Sequence, residues 1–299
     1  MNVLSLFDGM SCGQLALYRS NIKVDNYFAS EIDKSSIRVT QHNFPNTTQL
    51  GDINNWKSWN LPKIDLILAG SPCQGFSING KKLNFDDPRS KLFFTFVDIL
   101  HHYSPKYFLL ENVVMYKKQW EYIISKCVGV PPVMIDSKHF SAQSRKRLYW
   151  TNIPLLPYQH KNLLIKDIVD DADELLTIVE IKNYFDILSA IGINHRTKHS
   201  KEKILGNIRG KDQKLNCLTA SACSGNIAGN GGTTVLIGKN KLTNELYYRV
   251  NTRKESELAQ TVPVGYTDIV STHQAKKMLG NGWTVDVIAH ILSGINNDL

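Results

Sequence analysis

Several things are scarce in this 299-residue chain, and each shortage removes a class of function. No stretch approaches ~18 uninterrupted apolar residues, so no membrane-spanning helix is expected. Met1-Asn2 runs straight into Val3-Leu4-Ser5-Leu6-Phe7, without the basic start or cleavage site of a signal peptide, and a cytoplasmic setting follows as the expectation. The five cysteines (Cys12, Cys73, Cys127, Cys217 and Cys223) are odd in number and scattered. With no CxxC pair among them, neither a disulfide framework nor a structural zinc site is supported, and no metal is expected. The GxGxxG fingerprint of a nicotinamide-binding turn is missing. There are no internal repeats and no low-complexity tract.

Acidic residues are also in the minority, at 27 Asp+Glu against 35 Lys+Arg, and the excess is localised. Between His195 and Lys254 twelve Lys/Arg face only Glu202, Asp212 and Glu245, so this segment carries +9 and the remainder of the +8 chain is nearly neutral. A concentrated positive charge suits a polyanion, most simply a nucleic-acid backbone; a solvated basic face is the alternative.

What is present is an ordinary globular composition, 42% hydrophobic and 21% charged, on a length that suits one large domain with a smaller one attached. Up to about residue 154, short β-type runs (3–7, 27–32, 47–50, 65–69, 107–113, 132–137, 148–152) alternate with helical ones (13–20, 34–43, 91–103, 116–126). That alternation predicts an α/β fold with a doubly wound, mostly parallel sheet. After Pro154 the texture changes. Residues 166–190 suit one or two short helices. Seven glycines fall between Gly206 and Gly238 among many Ser, Thr and Asn, a composition for loops and short strands. From about Thr272 helical periodicity returns around Leu279-Gly280-Asn281-Gly282-Trp283. The expected division is 1–154, a smaller loop- and strand-rich domain at 155–272, and a segment at 273–299 returning to the first.

The candidate chemistry lies at strand ends. The run Ile64-Asp65-Leu66-Ile67-Leu68-Ala69 stops at Gly70-Ser71-Pro72-Cys73-Gln74-Gly75, which seats the Cys73 thiol on a tight turn where open α/β sheets react with ligands. Glu111, in Leu109-Leu110-Glu111-Asn112-Val113, ends the strand expected beside it; a desolvated carboxyl there suits a general acid, a helix-capping or ion-paired glutamate being the alternative. Gln143-Ser144-Arg145-Lys146-Arg147 puts Gln143, Arg145 and Arg147 on one face if extended, where guanidiniums could hold a phosphate or a nucleobase oxygen. The first strand delivers Phe7-Asp8-Gly9-Met10-Ser11-Cys12-Gly13 to a helix start, either a cofactor turn or an ordinary βα turn. Glu31 after the second strand is placed for ribose hydroxyls, and Asp52 after the third for an adenine amino group. These describe a nucleoside pocket without a pyrophosphate site, and S-adenosylmethionine has ribose, adenine and a carboxylate but no phosphate.

Taken in order, FDGMSCG, SEID, GDI, GSPCQGFS, ENV, QSRKR and LGNGW resemble the ordered motifs of the cytosine-5 DNA methyltransferase family over the first ~153 residues and the last ~50. FDGMSCG and the tryptophan of the last motif look closer to the de novo vertebrate-type subgroup, and GNG-Trp departs from that family's more frequent GNS. The resemblance implies a methyltransferase-type sheet and methyl transfer from S-adenosylmethionine to carbon 5 of a flipped cytosine in duplex DNA. Cys73 would be the nucleophile, Glu111 the acid, and Arg145 the holder of the exocyclic oxygen. It implies that Phe7 stacks on adenine and that the Asp8–Gly13 backbone (Asp8, Gly9, Met10, Ser11, Cys12, Gly13) meets the methionine end. Glu31 and Ile32 would take the ribose side and Asp52 and Ile53 the adenine, with Ser71, Pro72, Leu92, Asn281, Gly282 and Trp283 completing the pocket. Residues 155–272 would contain the target recognition domain, with Gln143, Arg147, Lys201, Lys203, Arg209, Lys211 and Lys214 toward DNA. A restriction endonuclease partner and the oligomeric state stay open. The rival readings are an RNA methyltransferase, whose family branch carries a Cys-Phe-Thr motif not found here, and a catalytically silent DNA-binding homologue.

Overall fold

The computed structural model describes residues 1–71, 88–169, 174–183, 187–190, 192, 198–221 and 233–297. Cys73 and Pro72 lie outside them. The described chain divides into two compact units. The first comprises Met1–Asp136, Lys146–Tyr158 and Val285–Leu299; the second comprises Ser137–Arg145 and Gln159–Thr284.

The first unit is built on a seven-stranded sheet among the described residues. Its strands are β1 (Asn2–Leu6), β2 (Asn26–Ser30), β3 (Thr48–Gln49), β4 (Leu66–Gly70), β5 (Tyr107–Val113), β6 (Val133–Asp136) and β7 (Lys146–Thr151). The spatial order is β3-β2-β1-β4-β5-β7-β6, parallel except for β7, which runs antiparallel to both neighbours. The doubly wound, mostly parallel sheet expected from the alternation is therefore present. Central strands read as nearly unbroken apolar runs because helices cover both faces: Leu66, Ile67, Leu68 and Ala69 of β4 are all fully buried.

Connections are made by α1 (Cys12–Arg19), α2 (Lys34–Asn43), α3 (Pro88–Tyr103) and α4 (Lys118–Val128). Local sequence sets their ends. Asp33 caps α2 by accepting from Ser35 N and Ser36 N at 3.0 and 2.9 Å. Gly129 ends α4 at φ 79°, in the left-handed region. Helix α3 starts three residues before the expected Lys91, at Pro88, a residue pre-set for a first helical position. Phe93 and Phe96 of α3, Trp150 of β7 and Leu4, Ile67 and Leu110 of the sheet form one core cluster.

In the second unit α5 (Ile178–Lys182), α6 (Ile187–Ala190), α7 (Lys198–Asn207), α8 (Arg253–Ala259) and α9 (Thr272–Asn281) accompany a small sheet of β8 (Ile208–Arg209), β9 (Val235–Lys239) and β10 (Leu246–Val250). Two apolar clusters hold it, one around Ile204, Val235 and Ile237, the other around Leu215, Leu218, Leu236 and Ala259. In this division α9 stays in the second unit and α10 (Val285–Leu292) belongs to the first. The reason lies in the end of α9, whose Leu279, Gly280 and Gly282 carbonyls accept hydrogen bonds from Gln260 and Arg145 of the second unit. No helix among the described residues is long and apolar enough to cross a membrane.

Candidate active site

Strand order reverses where β1 lies between β2 and β4, and a crevice opens outside the carboxyl ends of an open sheet at such a point. The turn after β1 is shaped by three left-handed residues, Phe7 (φ 57°), Gly9 (φ 61°) and Ser11 (φ 60°). Two of the three carry side chains, so the conformation is held by bonds: Asp8 N donates to Ser30 O, Gly9 N to Glu31 Oε2 at 2.8 Å, and Ser11 N to Asp8 O. Met10, Ser11 and Cys12 are buried. Glu31 accepts from Ile32 N and Asp33 N through its other oxygen, Oε1. Asp52 Oδ1 accepts from Asn54 N, and Ile53 beside it is buried.

Asp8 was expected to contribute backbone, yet its side chain is the most perturbed acid here. Tyr27 Oη donates to Oδ1 at 2.7 Å and Ser11 Oγ to Oδ2. Burial outweighs these donors and pushes its pKa up to about 6, with the Glu31 charge adding a smaller upward push.

Strand β4 ends beside β5 in a register that pairs Gly70 with Glu111, so β4 ends at the level of the acid. The next residue, Ser71, is buried and accepts from Asn112 Nδ2 at 2.9 Å. Across the antiparallel β5–β7 ladder Tyr149 stands opposite Glu111 and Arg147 opposite Val113, which makes Glu111 and Arg147 diagonal neighbours on one face. Arg147 Nε meets Glu111 Oε1 at 3.0 Å, with side chains only 13% and 10% exposed. The guanidinium brought to the acid is therefore that of Arg147.

Arg145, expected beside the acid, makes bonds within the second unit. Alternation along 143–147 presumed one strand, whereas β7 begins only at Lys146. Arg145, 3% exposed, donates from Nη1 to Leu218 O at 2.6 Å and from Nη2 to Gly282 O at 2.9 Å within the second unit. Gln143, expected toward DNA, is wholly buried too and donates to Ala259 O and Gln260 Oε1. Lys214, also expected toward DNA, donates from Nζ to Ser141 O and Leu163 O. Half-buried Arg209 donates to Gly206 O and Ile208 O, and burial lowers its pKa. Lys201 is exposed, and Lys203 and Lys211 are partly so.

A family model described as C-5 cytosine-specific DNA methylase matches residues 1–297. The chain belongs to that family. Among curated relatives, the orphan methyltransferase M.SPRI of Bacillus phage SPR is 30% identical over 200 residues, covering 62% of this chain and 46% of its own. The type II methyltransferase M.NgoBV of Neisseria gonorrhoeae is 39% identical over 114 residues, 37% of this chain and 27% of its own. The chain thus spans less than half the length of these relatives. Among solved structures, the Dnmt2 methyltransferase of S. pombe superposes with a TM-score of 0.69 at 17% identity, covering 100% of this chain and 99% of its own, a likeness of fold.

S-adenosylmethionine is the cofactor of this family, and the strand ends fit it. The charged side chains at the ends of β1, β2 and β3 are the acids Asp8, Glu31 and Asp52, which suit a cationic sulfonium and an ammonium group and repel a pyrophosphate. Ile32, 72% exposed beside Glu31, offers apolar surface to a nucleoside, and a Cβ added to Gly9 would meet nothing within 4 Å.

Proposed function

We propose that this methylase transfers the methyl group of S-adenosylmethionine to carbon 5 of a cytosine flipped out of duplex DNA, through a transient bond from Cys73. The observation carrying this reading is the Glu111–Arg147 pair, level with the end of β4, in a chain whose family match runs from residue 1 to 297.

Carbon 5 of cytosine is a poor nucleophile. Addition of the Cys73 thiolate to carbon 6 forms an S–C bond and moves the ring's electron pair toward carbon 5. Glu111 donates a proton or hydrogen bond to ring nitrogen 3, which accepts the charge displaced by that addition. Arg147, not Arg145, orients the Glu111 carboxyl and holds the exocyclic oxygen. The bound cofactor supplies an electrophilic methyl carbon. Loss of the carbon 5 proton then breaks the S–C bond and returns Cys73. Carbon 6 is inaccessible in a stacked duplex, hence the flipped base.

Phe7, Asp8, Gly9, Met10, Ser11, Cys12 and Gly13 form the turn assigned to the cofactor's adenine and methionine ends. Glu31, Ile32, Asp52 and Ile53 take its nucleoside, and Ser71, Pro72, Leu92, Asn281, Gly282 and Trp283 complete the set. The second unit acts as the target recognition domain, with Lys201, Lys203 and Lys211 on phosphates. The test is methyl incorporation into duplex DNA and into transfer RNA side by side, followed by bisulfite sequencing of the duplex. Methylated cytosines in one sequence context support the reading; incorporation into transfer RNA alone overturns it.

A further inference from the structure

Arg145 sits in a buried polar cluster of the second unit. Its Nη2 donates to Gly280 O at 3.2 Å and Gly282 O at 2.9 Å, carbonyls at the end of α9 that helix geometry leaves without intrahelical partners. Its Nη1 donates to Leu218 O at 2.6 Å and reaches Cys217 Sγ at 3.4 Å. Gln143 reinforces the same junction: Leu218 N donates to its Oε1, while its Nε2 donates to Ala259 O and Gln260 Oε1. Gln260 in turn donates to Leu279 O and Gly282 O and accepts from Thr284 Oγ1 at 2.8 Å. Gln143, Gln260 and Thr284 are at most 1% exposed.

Two segments far apart in sequence are thereby joined. One is the turn Leu279-Gly280-Asn281-Gly282-Trp283. The other, Cys217–Ser221, leads into the glycine-rich residues 222–232 and is tied to their far side, since Asn216 N donates to Thr234 Oγ1 and its Nδ2 to Thr233 O. The joint is close. A Cβ at Gly280 would lie 2.2 Å from Thr219 C and 2.4 Å from Ala220 N, so glycine is required where the two backbones meet.

We propose that Arg145, seconded by Gln143, is a positioning residue that locks the cofactor turn to the root of the base-reading segment, so that cofactor and DNA strengthen each other's binding through one guanidinium. This rests on the reading above that Asn281–Trp283 (Asn281, Gly282, Trp283) meet the cofactor and that the second unit reads DNA. The fork geometry matters: a guanidinium spans Leu218 O and Gly282 O together, whereas an ammonium is a point donor that keeps the charge but not the span.

The experiment measures S-adenosylhomocysteine affinity by calorimetry with and without a duplex bearing the site found by bisulfite sequencing. The ratio of the two affinities is the coupling. In the wild type the duplex tightens cofactor binding, and in a cooperatively melting Arg145→Lys variant the ratio falls at least about threefold toward one. General loosening lowers both affinities and leaves their ratio standing. A wild-type ratio of one, or an unchanged ratio in folded Arg145→Lys, overturns the proposal. Should Arg145→Lys fail to fold, Gln143→Met, which cuts the Leu218 tie, is read in the same way. Trp283→Ala separates the two layers: if it leaves cofactor affinity alone, the cofactor assignment of the turn fails, whatever the coupling does.

Discussion

At the strand ends of the first unit Asp8 and Glu31 are partly covered and Asp52 is exposed, while the Glu111–Arg147 pair at the end of β5 is almost buried. In the second unit, Gln143, Arg145, Gln260 and Thr284 are all but sealed and bonded mostly to backbone. The contrast runs through a single motif, since Arg145 and Arg147 are two residues apart and alike in chemistry. Glu111 and Arg147 pair side chain to side chain, whereas Arg145 donates to the backbone carbonyls of Leu218, Gly280 and Gly282. The boundary is the first residue of β7.

The comparison breaks most sharply at the nucleophile. Cys73→Ser is expected to remove methyl transfer altogether while cofactor affinity stays near wild type, measured by tritium incorporation and calorimetry. Next come the two arginines. Glu111→Gln should lower transfer by about 10²–10⁴-fold, as for a lost general acid. Arg147→Ala should cause a similar loss that is not additive with Glu111→Gln, because the two side chains act as one unit. Arg145→Met should instead show first in the melting curve, with about 3 kcal/mol lost as buried carbonyls go unpartnered. If Arg145→Met melts normally and Arg147→Ala transfers methyl normally, the division of labour is wrong.

A smaller effect separates Asp8 from the other acids. Its folded pKa of about 6 exceeds the ordinary 3.8, so its contribution to the stability of the cofactor-free protein is present below about pH 4 and is lost as pH rises through about 6. A cationic ligand reverses the preference. Cofactor affinity should weaken as pH falls from 7 to 5, and Asp8→Asn should flatten that profile in a binding titration. The smallest effect is on the basic face: neutralising Lys201, Lys203 and Lys211 together should reduce the salt-dependence slope of DNA binding by about 2–3. Adding Lys214 should lower stability without a further change in slope, since its ammonium is held by Ser141 O and Leu163 O.

Much of this was legible in the residues. Unbroken apolar runs such as Leu66-Ile67-Leu68-Ala69 mark strands covered on both faces, and every expected strand and helix of the first unit is present within a few residues. The level of Glu111 with the end of β4 also followed from strand order. Three things could not be read locally. The antiparallel insertion of β7 is a long-range pairing, and it alone decides which arginine meets Glu111. The burial of Gln143 and the anchoring of the Lys214 ammonium depend on carbonyls supplied by distant segments. The return to the first unit at Val285 follows from bonds to the end of α9, where helical periodicity alone suggested a boundary near residue 273. The spacing QSRKR carried a hint, because a residue before a strand's start need not share its face.

The account's central claim is a bond between the Cys73 sulfur and carbon 6 of cytosine. A duplex with 5-fluorocytosine at the methylated position, incubated with protein and cofactor, blocks the final proton loss and should trap that bond. Denaturing electrophoresis and peptide mass spectrometry should show a stable protein–DNA adduct mapped to Cys73 and absent from Cys73→Ser. Active protein that methylates ordinary duplex yet forms no such adduct, or one mapped to another cysteine, would contradict it.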